Sequence, residues 1–328
     1  MRKALMLTDM SGSDAVYCAL KAEGSGKIES VWVPEMTRRD SISILGAIAA
    51  STKKIRVAPG ILNVYSRTPA LIAMSLVTLQ ELSNGRLCAG LSVGNPDYVH
   101  DIHGLKVKDS IERLREVISI VRKTAAGEAN VSFKGRVFEI KSWSPKFPKI
   151  DPFPIYVGAH NPGLLQFVGE ACDGVILNLV SPENIGSAAT IIRQAASNSG
   201  RPSNAVDISS IMMVAINNSD AHAAEQRVRK QIAFYLSRSR QIRKRFSKSA
   251  FAGEITKVEE LMAKGKQNEI APGLSQELVD SISVYGTRGD VEERVADYEK
   301  AGLDLAILYV AGWMEDSRSF TDSLLGSI

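Results

Sequence analysis

The sequence predicts an α/β protein folded as a (β/α)8 barrel. Short runs rich in Val, Ile and Leu alternate with longer segments of helical period, which is typical of repeated βα units and a parallel sheet. Eight such runs occur, whereas an open doubly wound sheet usually has five or six strands. The turn after the first run, Thr8-Asp9-Met10-Ser11-Gly12, also lacks the G-x-G-x-x-G of a dinucleotide-binding domain.

The predicted elements follow one another in βα order along nearly the whole chain. Thr68 stands before Pro69, the pattern of an N-cap followed by a first helical residue. The predicted strands span 3–7, 30–33, 55–58, 86–91, 155–157, 174–178, 208–216 and 305–309. The predicted helices span 14–22, 41–50, 69–82, 108–125, 162–171, 181–197, 219–236 and 291–301.

Two segments exceed what a minimal barrel requires, so the 328 residues are predicted to form one domain, 1–328, with two insertions. The insertion at 130–151, after the fourth strand, has two alternating runs around Lys134-Gly135 and predicts a hairpin. The insertion at 238–283, after the seventh strand, is polar with mostly helical patterns. Both are expected to cover the mouth of the barrel or to form an oligomer contact.

Composition excludes several classes of protein. Forty basic and thirty-six acidic side chains give a net charge of +4, too low for a dedicated nucleic-acid binder. No run approaches the roughly 20 apolar residues of a membrane span, and the N-terminal segment lacks the apolar core of a signal peptide. Cys18, Cys88 and Cys172 are widely spaced, which argues against disulfides and a thiolate zinc site. We therefore expect a cytoplasmic protein without membrane or nucleic-acid partners.

The carboxyl ends of barrel strands carry the active site, so the residues there are the first candidates. Glu35 follows the second strand and is placed to bind a ring edge or move a proton; the alternative is a surface carboxylate paired with Arg38 or Arg39. After the third strand, Gly60 permits close approach of main chain to a flat ligand, and Asn63 offers a polar contact.

Turns after the fourth and fifth strands add further candidates. Gly94 and Asn95 follow the fourth strand. The small-residue turn 158–163 then enters a helix at Pro162, which exposes main-chain N–H groups at a positive helix end and suits a phosphate.

Several of these motifs resemble the bacterial luciferase-like superfamily, most strongly its deazaflavin branch. The segments are Val31-Trp-Val-Pro-Glu35, Ile55-Arg-Val-Ala-Pro-Gly-Ile-Leu-Asn63, Glu81-Leu-Ser-Asn-Gly-Arg86, Pro154-Ile-Tyr-Val-Gly-Ala-His-Asn-Pro162 and Tyr285-Gly-Thr287. They cover nearly the whole chain. The resemblance implies a luciferase-like barrel that binds coenzyme F420, or alternatively FMN, at its carboxyl-end mouth and acts on a small-molecule substrate as a homodimer or homotetramer.

The resemblance also assigns roles to residues. It implies a cis peptide at Gly60-Ile61 that supports the coenzyme ring. The implied catalytic residues are Glu35 and Asp9. The implied coenzyme-binding residues are Gly60, Ile61, Asn63, Gly94, Asn95, Gly158, Ala159, His160, Asn161 and Gly163.

Two departures from the branch limit the choice of activity. Its sugar and alcohol dehydrogenases carry an Asp-His pair after the second strand, where this chain has Glu35-Met36, so alcohol oxidation assisted by that His is not expected. Methylenetetrahydromethanopterin reductases have an acidic residue within the first strand, where the nearest equivalent here is Asp9. The leading hypothesis is an F420-dependent hydride transfer to a small organic or pterin-bound one-carbon substrate.

Two other hypotheses stay open from the sequence. They are an FMN-dependent luciferase-like monooxygenase and a non-catalytic flavin-binding barrel. His100 and His103 lack a convincing third ligand, so no metal site is predicted. Nine basic and no acidic residues between Arg227 and Lys248 predict either a solvated helical face or a field that attracts an anionic coenzyme tail.

Overall fold

The computed structural model describes residues 1–35, 38–311 and 316–327. Each of the eight predicted strands has a counterpart in a largely parallel sheet. The strands are β1 Arg2–Met6, β2 Ser30–Val33, β3 Arg56–Pro59, β4 Leu62–Asn63, β5 Ala89–Ser92, β6 Val131–Lys134, β7 Glu139–Trp143, β8 Ile155–Gly158, β9 Gly174–Asn178, β10 Asp207–Ile216, β11 Ser283–Gly286 and β12 Leu305–Val310.

The helices fill the intervals between strands, as their apolar periodicity predicts. The first seven are α1 Gly12–Ser25, α2 Ser41–Ser51, α3 Pro69–Leu82, α4 Pro96–His103, α5 Ser110–Ala125, α6 Pro162–Ala171 and α7 Pro182–Asn198. The others are α8 Ala221–Arg238, α9 Arg240–Phe246, α10 Ala252–Ala263, α11 Ile270–Gly273, α12 Gln276–Ile282, α13 Arg288–Lys300 and α14 Ser317–Ser327.

The sheet closes through its third strand. Its order is β3-β2-β1-β12-β10-β9-β8-β5-β4, so the two ends of the order are β3 and β4, which only Gly60 and Ile61 separate along the chain. A parallel bridge between Val57 of β3 and Leu87, two residues before β5, also connects the third barrel strand with the fourth. The (β/α)8 barrel predicted from the sequence is therefore confirmed.

Tight packing at the point of closure explains a glycine in β5. A Cβ built on Gly90 would lie 2.1 Å from the main-chain oxygen of Pro59 and 3.2 Å from the Trp32 ring. Trp32 is fully buried, its Nε1 donates to Ser30 Oγ at 3.0 Å, and its ring meets the Tyr156 ring edge-on. The interior of the barrel is thus filled by side chains that leave no room for a methyl group at residue 90.

A buried carboxylate holds the first insertion against the barrel. β6 and β7 pair as the predicted antiparallel hairpin, with Lys134 opposite Glu139. Glu116 of α5 is 3% exposed and accepts main-chain N–H bonds at 2.6–3.2 Å from three successive residues of the hairpin turn. A Cβ on Gly135 would lie 2.3 Å from the Glu116 carboxyl carbon, so glycine is required there.

The second insertion is helical, but it returns to the sheet by a strand that the sequence patterns did not predict. Helices α9 to α12 lie between α8 and β11, and β11 pairs in parallel with the carboxyl half of β10, with Val284 opposite Val214. Residues 283–286 were interpreted as part of the insertion and the start of the last helix. Ser283-Val-Tyr-Gly286 contains a single aliphatic side chain and so gives no run rich in Val, Ile and Leu, which is why the pattern missed this strand.

One helix begins earlier than the sequence predicts, and two helices were not predicted. Thr287 and Asp290 form a reciprocal capping box, so α13 begins at Arg288 and not at the predicted 291. Asn95 and Pro96 start a short helix, α4, in a stretch read as a loop. The C-terminal helix α14, also not predicted, contacts α1 through ion pairs such as Arg318–Asp14 at 2.7 Å. None of the described helices is long and apolar enough to cross a bilayer.

The packing at Gly90 yields a stability prediction. Gly90→Ala places a methyl group into main chain of the neighbouring strand, so we expect the free energy of unfolding to fall by about 3 kcal/mol, the upper range for overpacking. Urea unfolding followed by circular dichroism measures it. Gly46→Ala is the matched control, because no atom lies within 4 Å of its Cβ position inside α2 and the change favours the helix by about 0.5–1 kcal/mol. Equal stability of the Gly90→Ala variant and the wild type would contradict this account.

Candidate active site

The bend in the third strand brings three strand ends together. The Gly60–Ile61 peptide is cis, as the resemblance implied. Gly60 N donates to Val33 O at 2.8 Å, and Glu35 N donates to Ile61 O at 3.3 Å. A Cβ on Gly158 would lie 3.9 Å from Ile61 Cγ2. The bend therefore contacts both the segment that carries Glu35 and the end of β8.

Asn63 and Gly94 continue the same surface toward the fourth barrel strand. Asn63 is 8% exposed, and its Oδ1 accepts from Tyr65 N at 2.8 Å. Gly94 has φ +69°, and a Cβ there would lie 2.4 Å from Asn63 Nδ2. Because both its backbone and the adjacent amide exclude a side chain, residue 94 presents bare main chain. Asn95 caps α4 and donates from Nδ2 to Ser239 Oγ of the second insertion at 3.1 Å.

The turn between β8 and α6 has the properties of an anion site. Asn161 caps the helix by accepting from Leu164 N at 2.9 Å, while Ala159 is buried below it. Among the described residues, the main-chain N–H groups of His160, Asn161 and Gly163 have no protein acceptor. Three free donors at the positive end of a helix suit a phosphate oxygen.

Glu35 is held by an arginine that the sequence did not pair with it. Arg67 Nε and Nη2 donate to both Glu35 oxygens at 2.7–3.2 Å, and Nη2 also reaches Asp40 Oδ1 at 2.5 Å. The alternative of a surface carboxylate paired with Arg38 or Arg39 does not match this geometry, since Arg38 lies 3.5 Å from Asp9 and Arg39 donates to a main-chain oxygen. The hydrogen bonds that Arg67 donates to Glu35 raise the pKa of Arg67. The adjacent Met36 lies outside the described residues.

Asp9 lies apart from this pair, in the loop after β1. Its φ is +59° and its side chain is 23% exposed. Its charge acts on Tyr98, Tyr235 and Tyr309, three tyrosines whose pKa values are raised by burial. The rings of Tyr235 and Tyr309 meet edge-on at 6.4 Å.

Sequence reasoning gave these tyrosines no role, although one signal pointed to Tyr309. That residue stands at the carboxyl end of the last predicted strand, where site residues of a barrel lie. Tyr235 comes from α8, and no sequence pattern connects that helix with the first strand.

The basic residues between Arg227 and Lys248 differ in what they contact. Some bind main-chain oxygens or a carboxylate, and one contacts the turn between β8 and α6. Arg229 is 8% exposed and binds Glu225 and the Leu274 oxygen. Arg243 donates to the Leu236 oxygen at 2.6 Å. Arg245 instead reaches the turn between β8 and α6, with Nη1 at 2.9 Å from His160 Nδ1. The run is thus not one solvated face.

A cavity of about 530 Å³ adjoins the turn on the side of the first insertion. Polar and charged residues from four separate segments meet in its wall. Those segments contribute Ser110, Arg115, Arg136, Asn161 and Gln241. The cavity is large enough to admit a small-molecule ligand next to the anion site.

No metal centre forms from the described residues, where His, Cys, Asp and Glu nowhere gather in a group of three suited to a metal. His100 is exposed and its Nδ1 lies 2.8 Å from Asp101 of the same helix. The three cysteines are buried and unpaired, and burial raises the pKa of each thiol, in Cys18 to about 11.

The fold and this geometry define a (β/α)8-barrel protein whose carboxyl-end loops carry the candidate site. The family model described as luciferase-like monooxygenase matches residues 2–305. The chain belongs to this family, which confirms the resemblance drawn from its motifs.

Relatives and solved structures agree with that assignment. A 5,10-methylenetetrahydromethanopterin reductase of Archaeoglobus fulgidus is 29% identical over 90% of this chain and 89% of its own length. The structure of a coenzyme F420 dependent tetrahydromethanopterin reductase from Methanopyrus kandleri superimposes with a TM-score of 0.88 at 20% identity, covering 100% of this chain and 98% of that one. An F420-dependent secondary alcohol dehydrogenase gives a TM-score of 0.80 at 16% identity, with the same coverage. The two structural matches show the shared fold.

The Glu35–Arg67 pair yields a second stability prediction. Because both side chains are less than one-fifth exposed, a double-mutant cycle with Glu35→Gln and Arg67→Met is expected to give a coupling energy of about 0.5–3 kcal/mol in urea unfolding. The more exposed Asp9–Arg38 pair serves as the control and is expected to couple by less than about 1 kcal/mol. Equal coupling in the two pairs would show that Glu35 is not specially held.

Proposed function

We propose that this protein is a coenzyme F420-dependent oxidoreductase that transfers a hydride between the deazaflavin and a small-molecule substrate. The observation that carries the proposal is the junction at Ile61. Its oxygen accepts from Glu35 N, and its side chain lies near Gly158, where the anion-binding turn begins. A candidate acid, a flat main-chain surface and a phosphate site therefore meet around one bend. Relatives named as F420-dependent enzymes support the choice of coenzyme.

The residues at this junction fit the coenzyme. Gly60, Ile61, Asn63 and Gly94 would hold the ring, because they present main chain and one amide where a planar group needs close approach. Gly158, Ala159, His160, Asn161 and Gly163, together with Asn95 beside the second insertion, would hold the phosphate end. When bound, the deazaflavin supplies or accepts the hydride at its C5 carbon.

The protein's own part is to bind, orient and move protons. Arg67 fixes the Glu35 carboxylate through both of its oxygens, so that the group is aimed before a substrate arrives. Asp9 is the second acidic group near the mouth and faces the tyrosine cluster. Glu35 is assigned the proton-handling role because its main chain is bonded to the bend itself.

For the substrate, we propose a one-carbon unit carried on a pterin, as in 5,10-methylenetetrahydromethanopterin. The length and identity of the match to reductases of that name support this choice. The missing histidine after β2 argues against alcohol oxidation of the kind that an Asp-His pair assists. A cytoplasmic homodimer or homotetramer completes the proposal.

Coenzyme titration tests the cofactor assignment. We expect F420 to bind in the micromolar range or tighter, with a change in its absorbance and fluorescence, and FMN to bind at least tenfold more weakly. Gly94→Ala pushes against Asn63 and is expected to weaken F420 binding by at least tenfold, whereas the helical Gly46→Ala is not. Tight FMN binding without F420 affinity would favour the monooxygenase alternative, which other luciferase-like barrels with FMN represent.

Turnover of the loaded enzyme tests the acid assignment. We expect Glu35→Gln to lower kcat by about 100-fold, the usual effect of removing a group that accepts or returns a proton, with F420 affinity unchanged. Asp9→Asn provides the comparison. Loss of kcat in Asp9→Asn alone would transfer the role to Asp9, and coenzyme binding without turnover of any pterin or small organic substrate would favour the non-catalytic barrel.

A further inference from the structure

Arg245 connects the second insertion to the candidate phosphate turn. Its guanidinium leaves α9 and donates to the Asn178 oxygen at 3.0 Å and the Leu179 oxygen at 2.7 Å, both at the carboxyl end of β9. The same Nη1 lies 2.9 Å from His160 Nδ1. Burial lowers the pKa of Arg245 to about 10, so the group remains charged at neutral pH.

This contact determines where His160 carries its proton. An arginine has five N–H donors and no acceptor, so the Nδ1 atom facing it must supply a lone pair. A neutral imidazole then has its proton on Nε2, and a doubly protonated imidazole would have to break the contact. His160 is exposed as a residue, yet protein atoms crowd its ring. This desolvation and the Arg245 charge lower the pKa of His160 to about 3.

In the part of the chain that the structure describes, the Nε2 side of the ring is left without a protein contact that uses its hydrogen-bonding capacity. Among the described residues, His160 Nε2 has no protein partner, and the main-chain N–H groups of Asn161 and Gly163 beside it are also free. A neutral Nε2–H adds a fourth donor to that group of main-chain donors.

We propose that Arg245 is a positioning residue of the coenzyme site, which fixes the Nε2–H tautomer of His160 and so presents a neutral hydrogen-bond donor to the phosphate of the deazaflavin. The inference rests on the proposed function for the identity of the anion. It also assigns a role to the second insertion, because Arg245 belongs to α9 of that insertion and not to a strand or helix of the barrel.

Nitrogen-15 NMR of the ligand-free protein tests the first half. The chain has four histidines, so selective labelling gives few signals, and His160→Gln identifies the relevant pair. We expect an unprotonated Nδ1 and a protonated Nε2 that persist as pH falls through 6.5, where exposed histidines become charged. In Arg245→Met, we expect both tautomers to appear and the pKa of His160 to rise toward its ordinary value. A wild-type signal with the proton on Nδ1 would overturn the proposal.

Equilibrium titration with F420 tests the second half. We expect Arg245→Met to weaken binding about tenfold, and Lys244→Met, which removes the same charge from an exposed neighbour, to leave it unchanged. In a His160→Gln background, Arg245→Met should add little further loss, since the two residues act on one contact. That background variant also gives a reading if Arg245→Met fails to fold, because the expected tenfold loss then appears in His160→Gln alone.

The outcomes separate the two proposals. Unchanged F420 affinity in both variants, with the wild type binding normally, would contradict the role of Arg245. A wild type that binds no F420 would contradict the proposed function, while the NMR signals would still decide the tautomer of His160.

Discussion

The close approach between Gly90 and the main-chain oxygen of Pro59 constrains the rest of the molecule. Just beyond this contact the third barrel strand bends at Gly60 and Ile61 and continues as β4. That bend closes the barrel, and Glu35, Asn63 and Gly158 lie around it. The bend that closes the barrel is therefore also part of the candidate site.

The βα periodicity was sufficient to predict the barrel, because each strand is buried on both faces and therefore reads as an apolar run. It could not predict β11, which has only one aliphatic side chain among its four residues, or α4, which depends on the cap at Asn95. The bend at Gly60–Ile61 was predicted through a family resemblance and not from any local pattern. Local patterns thus predicted most of the helices and strands, and the family resemblance predicted the cis peptide at Gly60–Ile61.

The candidate site was less predictable from sequence than the fold. Residues at strand ends, such as Glu35 and Gly94, were found because the barrel places its loops at one mouth. Neighbouring arginines were the only partners that the sequence suggested for Glu35, as one of two alternatives, whereas Arg67 reaches it from 32 positions away. Arg245 was one basic residue among nine. The sequence gave no means to separate it from Arg229 and Arg243, whose guanidinium groups bind main-chain oxygens. Contacts between distant segments depend on tertiary geometry, which short motifs do not encode.

The bond between Asn95 and Ser239 joins residues 144 positions apart, and that between His160 and Arg245 joins residues 85 positions apart. The barrel closes through a pairing that is longer still, since Arg2 of β1 lies opposite Leu305 of β12. Each of the two side-chain bonds ties the second insertion to a loop at the carboxyl end of a barrel strand. A substitution in the insertion can therefore alter the wall of the candidate site while every strand of the barrel keeps its own residues.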